Sequence, residues 1–510
     1  MKIPNHGLFP DDAANRKLLS LVHPDNWQNP SPSPCYNLVV LGAGSAGLIS
    51  AIATASLGGR VALVERHLMG GDCLHTGCVP SKSLIRSARV AADLKRAGDF
   101  GLSPQSGVRK EDFSRIMERL RNIRADIGEN DAAARYRDLG VDVFLGEGMF
   151  TGPDTLDVAG QTLRFKKAVI ATGASAVPPP IPGLKETGFL DNETLFFLTE
   201  RPEDLLVIGG GPIGCEMAQA FARLGSRVSL VQDTRLLPQE SAEVSRLMTE
   251  VLEEEGIQLY TDASILKAEE LPDGRKSLVL NHGGQEIRLD AETLLVAAGR
   301  KPRVEGLGLE KAGVRYNTKQ GILVDDFLRT SNKRIYGAGD CCMAWKFTHA
   351  ADASAQIAVQ NALFMGRKRV SRLLMPWCTY TDPEVAHVGM GEREAETLGI
   401  EVETFTFPME ENDRAKTEGE KKGFVSVMVK RGSDRILGAT MVSSHAGESI
   451  GIFTTAMAAG MGLGALASVI HPYPTQAEAI RRAAGLYRKS RLTPRIAALL
   501  RGWLDMARKY

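Results

Sequence analysis

Leu38-Val39-Val40-Leu41-Gly42-Ala43-Gly44-Ser45-Ala46-Gly47 decides the fold of this chain. A continuous apolar strand runs into G-x-G-x-x-G, and an Ala-rich stretch, Leu48 to Leu57, follows as a helix. Arg60-Val61-Ala62-Leu63-Val64 reads as the next strand, and Glu65 closes it. In such a unit Gly42 permits the tight turn, Gly44 lets the backbone approach a pyrophosphate, and Gly47 lets helix and strand pack closely. The helix start offers free N–H groups to the phosphate. Glu65, about 20 residues on, is placed for a ribose hydroxyl.

The same pattern recurs at Leu205-Leu206-Val207-Ile208-Gly209-Gly210-Gly211-Pro212-Ile213-Gly214-Cys215-Glu216, followed by the strand Arg227 to Val231 and then Gln232. Gly209, Gly211 and Gly214 are all retained, so one chain carries two dinucleotide sites. Just past the first unit lies Gly70-Gly71-Asp72-Cys73-Leu74-His75-Thr76-Gly77-Cys78-Val79-Pro80-Ser81-Lys82. Cys73 and Cys78, on a Gly-rich turn entering a helix, can close a small strained disulfide, and a strained, accessible disulfide cycles where a structural one does not. Taken alone, the pair reads equally as buried thiols or half of a zinc site, for which only His75 lies nearby. Two flanking dinucleotide loops favour a relay from nicotinamide to flavin to disulfide to substrate.

Taken in order, these motifs resemble the FAD-dependent, two-cysteine pyridine nucleotide-disulfide oxidoreductases: dihydrolipoamide dehydrogenase, glutathione reductase and mercuric reductase. Four further segments resemble that family: Ala171-Thr172-Gly173, Ala298-Gly299-Arg300-Lys301-Pro302, Ile335-Tyr336-Gly337-Ala338-Gly339-Asp340 and Tyr380-Thr381-Asp382-Pro383-Glu384-Val385-Ala386-His387-Val388-Gly389. The resemblance runs from about Tyr36 to Glu478. It implies an α/β fold with two Rossmann-like domains, for FAD and NAD(P), and a C-terminal α+β dimerisation domain. The expected divisions are an extension over 1–35, FAD domain 36–185, NAD(P) domain 186–303, a return to the FAD domain over 304–372, and dimerisation domain 373–510.

The same resemblance implies roles. FAD would be held by Gly42, Gly44, Gly47, Glu65, Lys82, Thr172, Gly173, Asp340 and His349, with Thr348-His349 opening a helix aimed at the flavin. NAD(P) would be held by Gly209, Gly211, Gly214, Gln232, Arg235 and Gly299. Cys73 would be the exposed interchange thiol and Cys78 the thiolate against the flavin. Lys82 would pair with Glu216. The protein would be a homodimer with an active site shared between subunits.

The C-terminal motif departs from part of the family. Dihydrolipoamide dehydrogenase and glutathione reductase carry H-P-x-x-x-E, whose His comes from the partner subunit. Here the text is Ile470-His471-Pro472-Tyr473-Pro474-Thr475-Gln476-Ala477-Glu478, so Tyr473 stands where the His would, and His471 lies two residues earlier. Mercuric reductases also carry Pro-Tyr and Thr-x-x-Glu here. A phenol with pKa about 10 is a poor base at neutral pH but a usable metal ligand or proton donor. This tilts the reading toward a mercuric reductase-like enzyme, with transient substrate-ion contacts at Cys73, Cys78 and Tyr473 and no structural metal. Against it, no cysteine follows Cys378, whereas mercuric reductases end in a vicinal pair. The only vicinal pair, Cys341-Cys342, reads better as two buried small residues. Asp72 and His75-Thr76 also replace the family's usual Thr and Asn-Val, and His75 could take thiol protons. The substrate thus stays open between a soft metal ion and a small disulfide such as lipoamide, with His471 as base in the second case. A redox sensor or membrane-associated electron donor is the alternative from another class. Gln232 removes the acid typical of NAD sites and Arg235 adds a cation, which favours NADPH over NADH, although Asp233 is adjacent.

A chain of 510 residues, 43% hydrophobic, can fill several domains, and its net charge of +1 gives no reason to expect nucleic acid. Seven cysteines do not make a disulfide framework, so a reducing cytoplasm is expected. Met1 to Pro34 is a polar extension with a helical patch near Ala13 to Val22. Ser449 to Ile470 is uncharged and long enough to span a bilayer, yet its small residues suit a helix buried in protein. The basic tail from Arg491 reads as an amphipathic helix that packs on its own dimer or touches a membrane surface.

Overall fold

The computed structural model describes residues 8–103 and 107–508. Val39, Val40, Leu63 and Val64 are buried on both faces of their strands, as a parallel sheet covered by helices requires. The sheet runs Val141–Leu145, Val61–Glu65, Tyr36–Leu41, Gln161–Ile170 and Ile335–Gly337, all parallel. The near half of Gln161–Ile170 also closes an antiparallel ladder with Gly148–Gly152 and Thr155–Val158. The second nucleotide fold repeats this plan. Gln258–Tyr260, Arg227–Val231, Asp204–Ile208 and Thr293–Val296 are parallel, and Ser264–Glu270, Lys276–His282 and Gln285–Ala291 form the attached meander.

The chain forms two compact units. The first reaches Gly98 and adds Ser103–Arg235 and Glu253–Leu373, so the strands of both nucleotide folds lie in it. The second gathers Asp99–Leu102, Leu236–Leu252 and everything from Leu374 onward. Its centre is an antiparallel sheet in the order Pro376–Thr379, Glu384–Gly389, Ile436–Ser443, Phe424–Lys430 and Val402–Pro408. Val425, Val427, Met441, Phe453, Ile480 and Ala483 fill its core.

The amino-terminal arm is built into the first unit. Helix Ala13–Val22 is capped by Asp12, whose carboxylate accepts the Asn15 N–H at 2.9 Å. Ala14, Leu18 and Val22 enter the same core as the first sheet. Asp12 also pairs with buried Arg121 at 2.5 Å. Further along, the Asn29 amide donates to Leu145 O at 3.0 Å and accepts from Leu145 N at 2.8 Å, closing the sheet's edge strand.

The uncharged stretch Ser449 to Ile470 is not one long buried helix. A helix runs Ala446–Ala458, Gly460 at φ +68° ends it, and a short turn follows at Leu463–Leu466. Ile450, Phe453 and Ala456 are buried, whereas Gly451, Thr455 and Ala458 are not. No described helix is long and apolar enough to cross a membrane.

Candidate active site

Both glycine loops are built to the same tolerance. A Cβ at Gly42 (φ +104°) would stand 2.5 Å from Ala171 O, and one at Gly47 would stand 1.7 Å from Gly42 O. In the second loop a Cβ at Gly209 (φ +108°) would lie 2.9 Å from Ala297 O, and one at Gly214 would lie 1.8 Å from Gly209 O. Gly211 faces open space, with nothing within 4 Å of where a side chain would begin. Helices Ser45–Ser56 and Pro212–Arg223 start at these loops without a side-chain cap, leaving N–H groups for a phosphate. These cradles fit the pyrophosphates of two dinucleotides.

The acid position differs between the loops in a way that matches the sequence. Glu65 accepts the N–H of Ala43 at 2.7 Å and of His67 at 2.8 Å, and burial pushes its pKa up against those two bonds. Gln232 takes the equivalent place, its Oε1 accepting from Gly210 N at 2.6 Å. Its Nε2 donates to Asp233 and to Thr234 Oγ1, at 2.6 and 2.8 Å. Arg235 is half-buried next to them. Thr172 Oγ1 donates to Arg303 O at 2.6 Å, and Arg303 N donates to Gly173 O, so the two crossing strands are pinned together. Gly299 (φ +83°) lies on the same return, where a Cβ would come within 3.3 Å of Val177 O.

The redox loop sits against the first glycine loop. Gly70 N donates to Ala43 O, and a Cβ at Gly71 would meet Gly44 Cα at 2.6 Å. Cys73 lies on the short helix Gly71–His75, and Cys78 is the first residue of helix Cys78–Lys95. Both are free thiols. Cys78 stands at the open start of its helix, and Cys73 is half-buried in the preceding turn. Cys78 Sγ is 3.5 Å from Thr348 Oγ1, the first residue of helix Thr348–Leu363, so this second helix start also faces the sulfurs. A hydrogen bond from Cys73 pulls Cys78 down to about 6, helped by Thr348 and Lys82 against the cost of burial. The same bond, with burial, pushes Cys73 up. These opposite shifts favour a thiol at Cys73 and a thiolate at Cys78.

Lys82 lies one turn beyond Cys78, and its Nζ meets Glu216 Oε2 at 2.9 Å, as expected. Glu216 is buried on helix Pro212–Arg223, so the ion pair ties the redox helix to the nicotinamide loop. His349 is exposed and stacks on Phe347 with centroids 5.3 Å apart. Asp340 is raised by burial, against the nearby cations Arg300 and Lys346.

His75 cannot serve as the thiols' proton acceptor. It is buried, its Nε2–H donates to Met69 O at 2.7 Å, and desolvation drives its pKa to about 3. Arg124, fully buried, donates to His75 O at 3.0 Å and to Asn15 Oδ1 at 2.5 Å, so the loop is anchored through the amino-terminal helix. Cys341 is buried with Sγ 3.3 Å from both Ile170 O and Ala338 O, a packed residue. Among the described residues no group of three or more metal-ligating side chains gathers.

The sequence gives no hint of one contact. Arg300 meets Asp72 at 2.8 Å and stands 3.7 Å from Asp340. Asn192 and Thr76 also hold the Asp72 carboxylate, at 3.0 and 2.6 Å. Asp72 was legible as a departure from the family's Thr, but nothing local pairs it with Arg300.

Tyr473, His471 and Glu478 belong to the second unit. Tyr473 is exposed, and its hydroxyl donates to Asp413 Oδ2 at 3.1 Å, which raises its pKa. His471 has a buried Nε2 with no partner among the described residues, and burial lowers its pKa. Glu478 is buried and accepts from Arg481 at 2.6 Å and Arg482 at 3.1 Å.

Residues 36–356 match the pyridine nucleotide-disulphide oxidoreductases, and residues 375–484 match the dimerisation domain of the same enzymes. The chain belongs to the pyridine nucleotide-disulphide oxidoreductase family. Among curated relatives of this oxidoreductase, a mercuric reductase of Bacillus cereus is 34% identical over 93% of the chain and 75% of the relative. A dihydrolipoyl dehydrogenase of Bacillus subtilis is 31% identical over 88% and 97%. Among solved structures, the Cu(II) complex of RclA, an HOCl-induced flavoprotein disulfide reductase from Escherichia coli, superposes with TM-score 0.77. It is 27% identical, and the match covers 87% of this chain and 98% of that one. Enzymes of this family use FAD and NAD(P)H.

Proposed function

We propose that this oxidoreductase passes electrons from NAD(P)H through the Cys73–Cys78 pair to a soft metal ion, in the manner of a mercuric reductase. The carrying observation is Tyr473: where related disulfide reductases place an imidazole base, this chain presents an exposed phenol with a raised pKa. Such a group ligates an ion or gives a proton but takes none at neutral pH. Gly42, Gly44, Gly47, Glu65, Lys82, Thr172, Gly173, Asp340 and His349 would hold FAD. Gly209, Gly211, Gly214, Gln232, Arg235 and Gly299 would hold the nicotinamide nucleotide. Bound FAD supplies the two-electron relay between nicotinamide and sulfur.

The chain's own residues do the rest. The hydrogen bond from Cys73, then Thr348 and Lys82, favour Cys78 as thiolate, and Glu216 fixes where the Lys82 charge sits. The two sulfurs capture the ion, with the partner subunit's Tyr473 as a third ligand in a homodimer whose site is shared. Two electrons reduce the ion while the dithiol returns to the disulfide and its proton leaves to water. For a small disulfide, the Cys73 sulfur would instead attack one substrate sulfur as it gives up its proton, and the expelled substrate sulfur takes that proton. Cys78 would then displace the bound half and re-form Cys73–Cys78. The dihydrolipoyl dehydrogenase relative keeps this second reading in view.

Assays of two variants against Hg(II) and lipoamide separate the readings. Tyr473→Phe should impair metal-ion reduction, and His471→Ala should change little. Full metal activity in Tyr473→Phe, with an about 10²–10⁴-fold loss of disulfide reduction in His471→Ala, would overturn the proposal. Gln232 in the acid's place favours NADPH, which the ratio of kcat/KM for NADPH to that for NADH checks; a preference for NADH would reverse this choice.

A further inference from the structure

The chemistry above leaves the last helix, Pro494–Ala507, without a role. Thr493 caps it, Pro494 opens it, and none of its residues is buried. Helical spacing places Ile496, Leu499, Leu500, Trp503, Leu504 and Met506 on one broad arc. Leu499 is 77% exposed and Trp503 66%. Arg501 and Arg508 border one edge of the arc and Arg495 the other, all exposed. The charge behind it is strongly segregated. Between Arg481 and Lys509 there are seven arginines and two lysines against one aspartate, in a chain of net charge +1, so the remainder is acidic.

We propose that this helix docks the protein on an anionic lipid surface, lying in the plane of the bilayer. The apolar arc would enter the boundary of headgroups and acyl chains. The flanking arginines would reach back to lipid phosphates along their alkyl stems, and Trp503 has the amphipathic ring that favours this depth. Charge decides against the same helix of a second copy as the occupant: it would bring the same cationic rims against these. Anionic lipid brings the opposite charge, each basic side chain adding to the attraction. At 14 residues the helix is too short to span, so it lies on the surface.

The test uses the full-length, FAD-loaded protein and sedimentation with vesicles. One set is phosphatidylcholine alone, and the other contains about one quarter phosphatidylglycerol. The protein should pellet with the anionic vesicles, and added salt should release it. The double variant Leu499→Glu, Trp503→Glu should lose at least about tenfold in vesicle affinity. Its dimer mass and NAD(P)H-dependent metal-ion turnover should stay at the parent's values, which shows that it has folded. No preference for anionic vesicles, or equal binding by the double variant, would overturn the proposal. So would dissociation of the dimer in that variant, which would assign the arc to a second copy.

Discussion

At the scale of single residues, the decisive quantity is the acidity of Cys78. Its thiol is pulled to about 6 from 9.0, first by the hydrogen bond from Cys73. A folded-state value below the unfolded one stabilises the fold fully above about 9, and the contribution is lost as pH falls through about 6. Alkylation of the reduced protein by iodoacetamide, followed by peptide mass analysis, should therefore show Cys78 reacting with a midpoint near pH 6. Lys82→Met removes a cation that favours the thiolate and should move the midpoint upward. A wild-type midpoint near 9 would refute the thiol–thiolate assignment. Residue identity alone does not reveal all of this. The pattern C-x4-C marks the pair, but not that Thr348, 270 residues on, comes within 3.5 Å of Cys78. His75, between the two, looks like a proton acceptor in the text because sequence does not show that its ring is buried with Nε2 on Met69 O, where an added charge is desolvated.

At the scale of elements, the close approach of two loops carries the site. Gly71 has φ +61°, and a methyl group there would collide with the Gly44 backbone. Gly71→Ala should cost about 1–3 kcal/mol and push the redox loop off the pyrophosphate cradle. Chemical denaturation of the purified protein and its FAD content per chain measure both effects; a variant with full FAD and unchanged stability would show that the contact is unimportant. The glycine loops, their strands, and the helix Ala13–Val22 were legible because strand-to-helix switches and local caps are written in consecutive residues. So was Lys82 with Glu216, through motifs that the family keeps in register. Asp72 with Arg300 was not, because a contact between distant segments leaves no period in the text. Nor does hydropathy alone reveal the break at Gly460, which a positive φ imposes on an otherwise helical run.

At the scale of the whole molecule, the proposal of a shared site can be tested by mixing. Cys73→Ser and Tyr473→Phe each spoil a different half of every site. Random re-association of the two variants should restore about one quarter of wild-type metal-ion turnover, because half of the dimers then hold one intact site. No recovery after verified exchange of subunits would place Cys73 and Tyr473 in one chain's site. The amino-terminal arm has its own consequence at this scale, and it concerns synthesis. Asp12 and Asn29 find their partners, Arg121 and Leu145, 109 and 116 residues later. While the chain grows, Leu18 and Val22 thus leave the ribosome long before the surfaces that cover them exist. The arm is therefore secured only after those later segments have been made, and until then its apolar face stays uncovered.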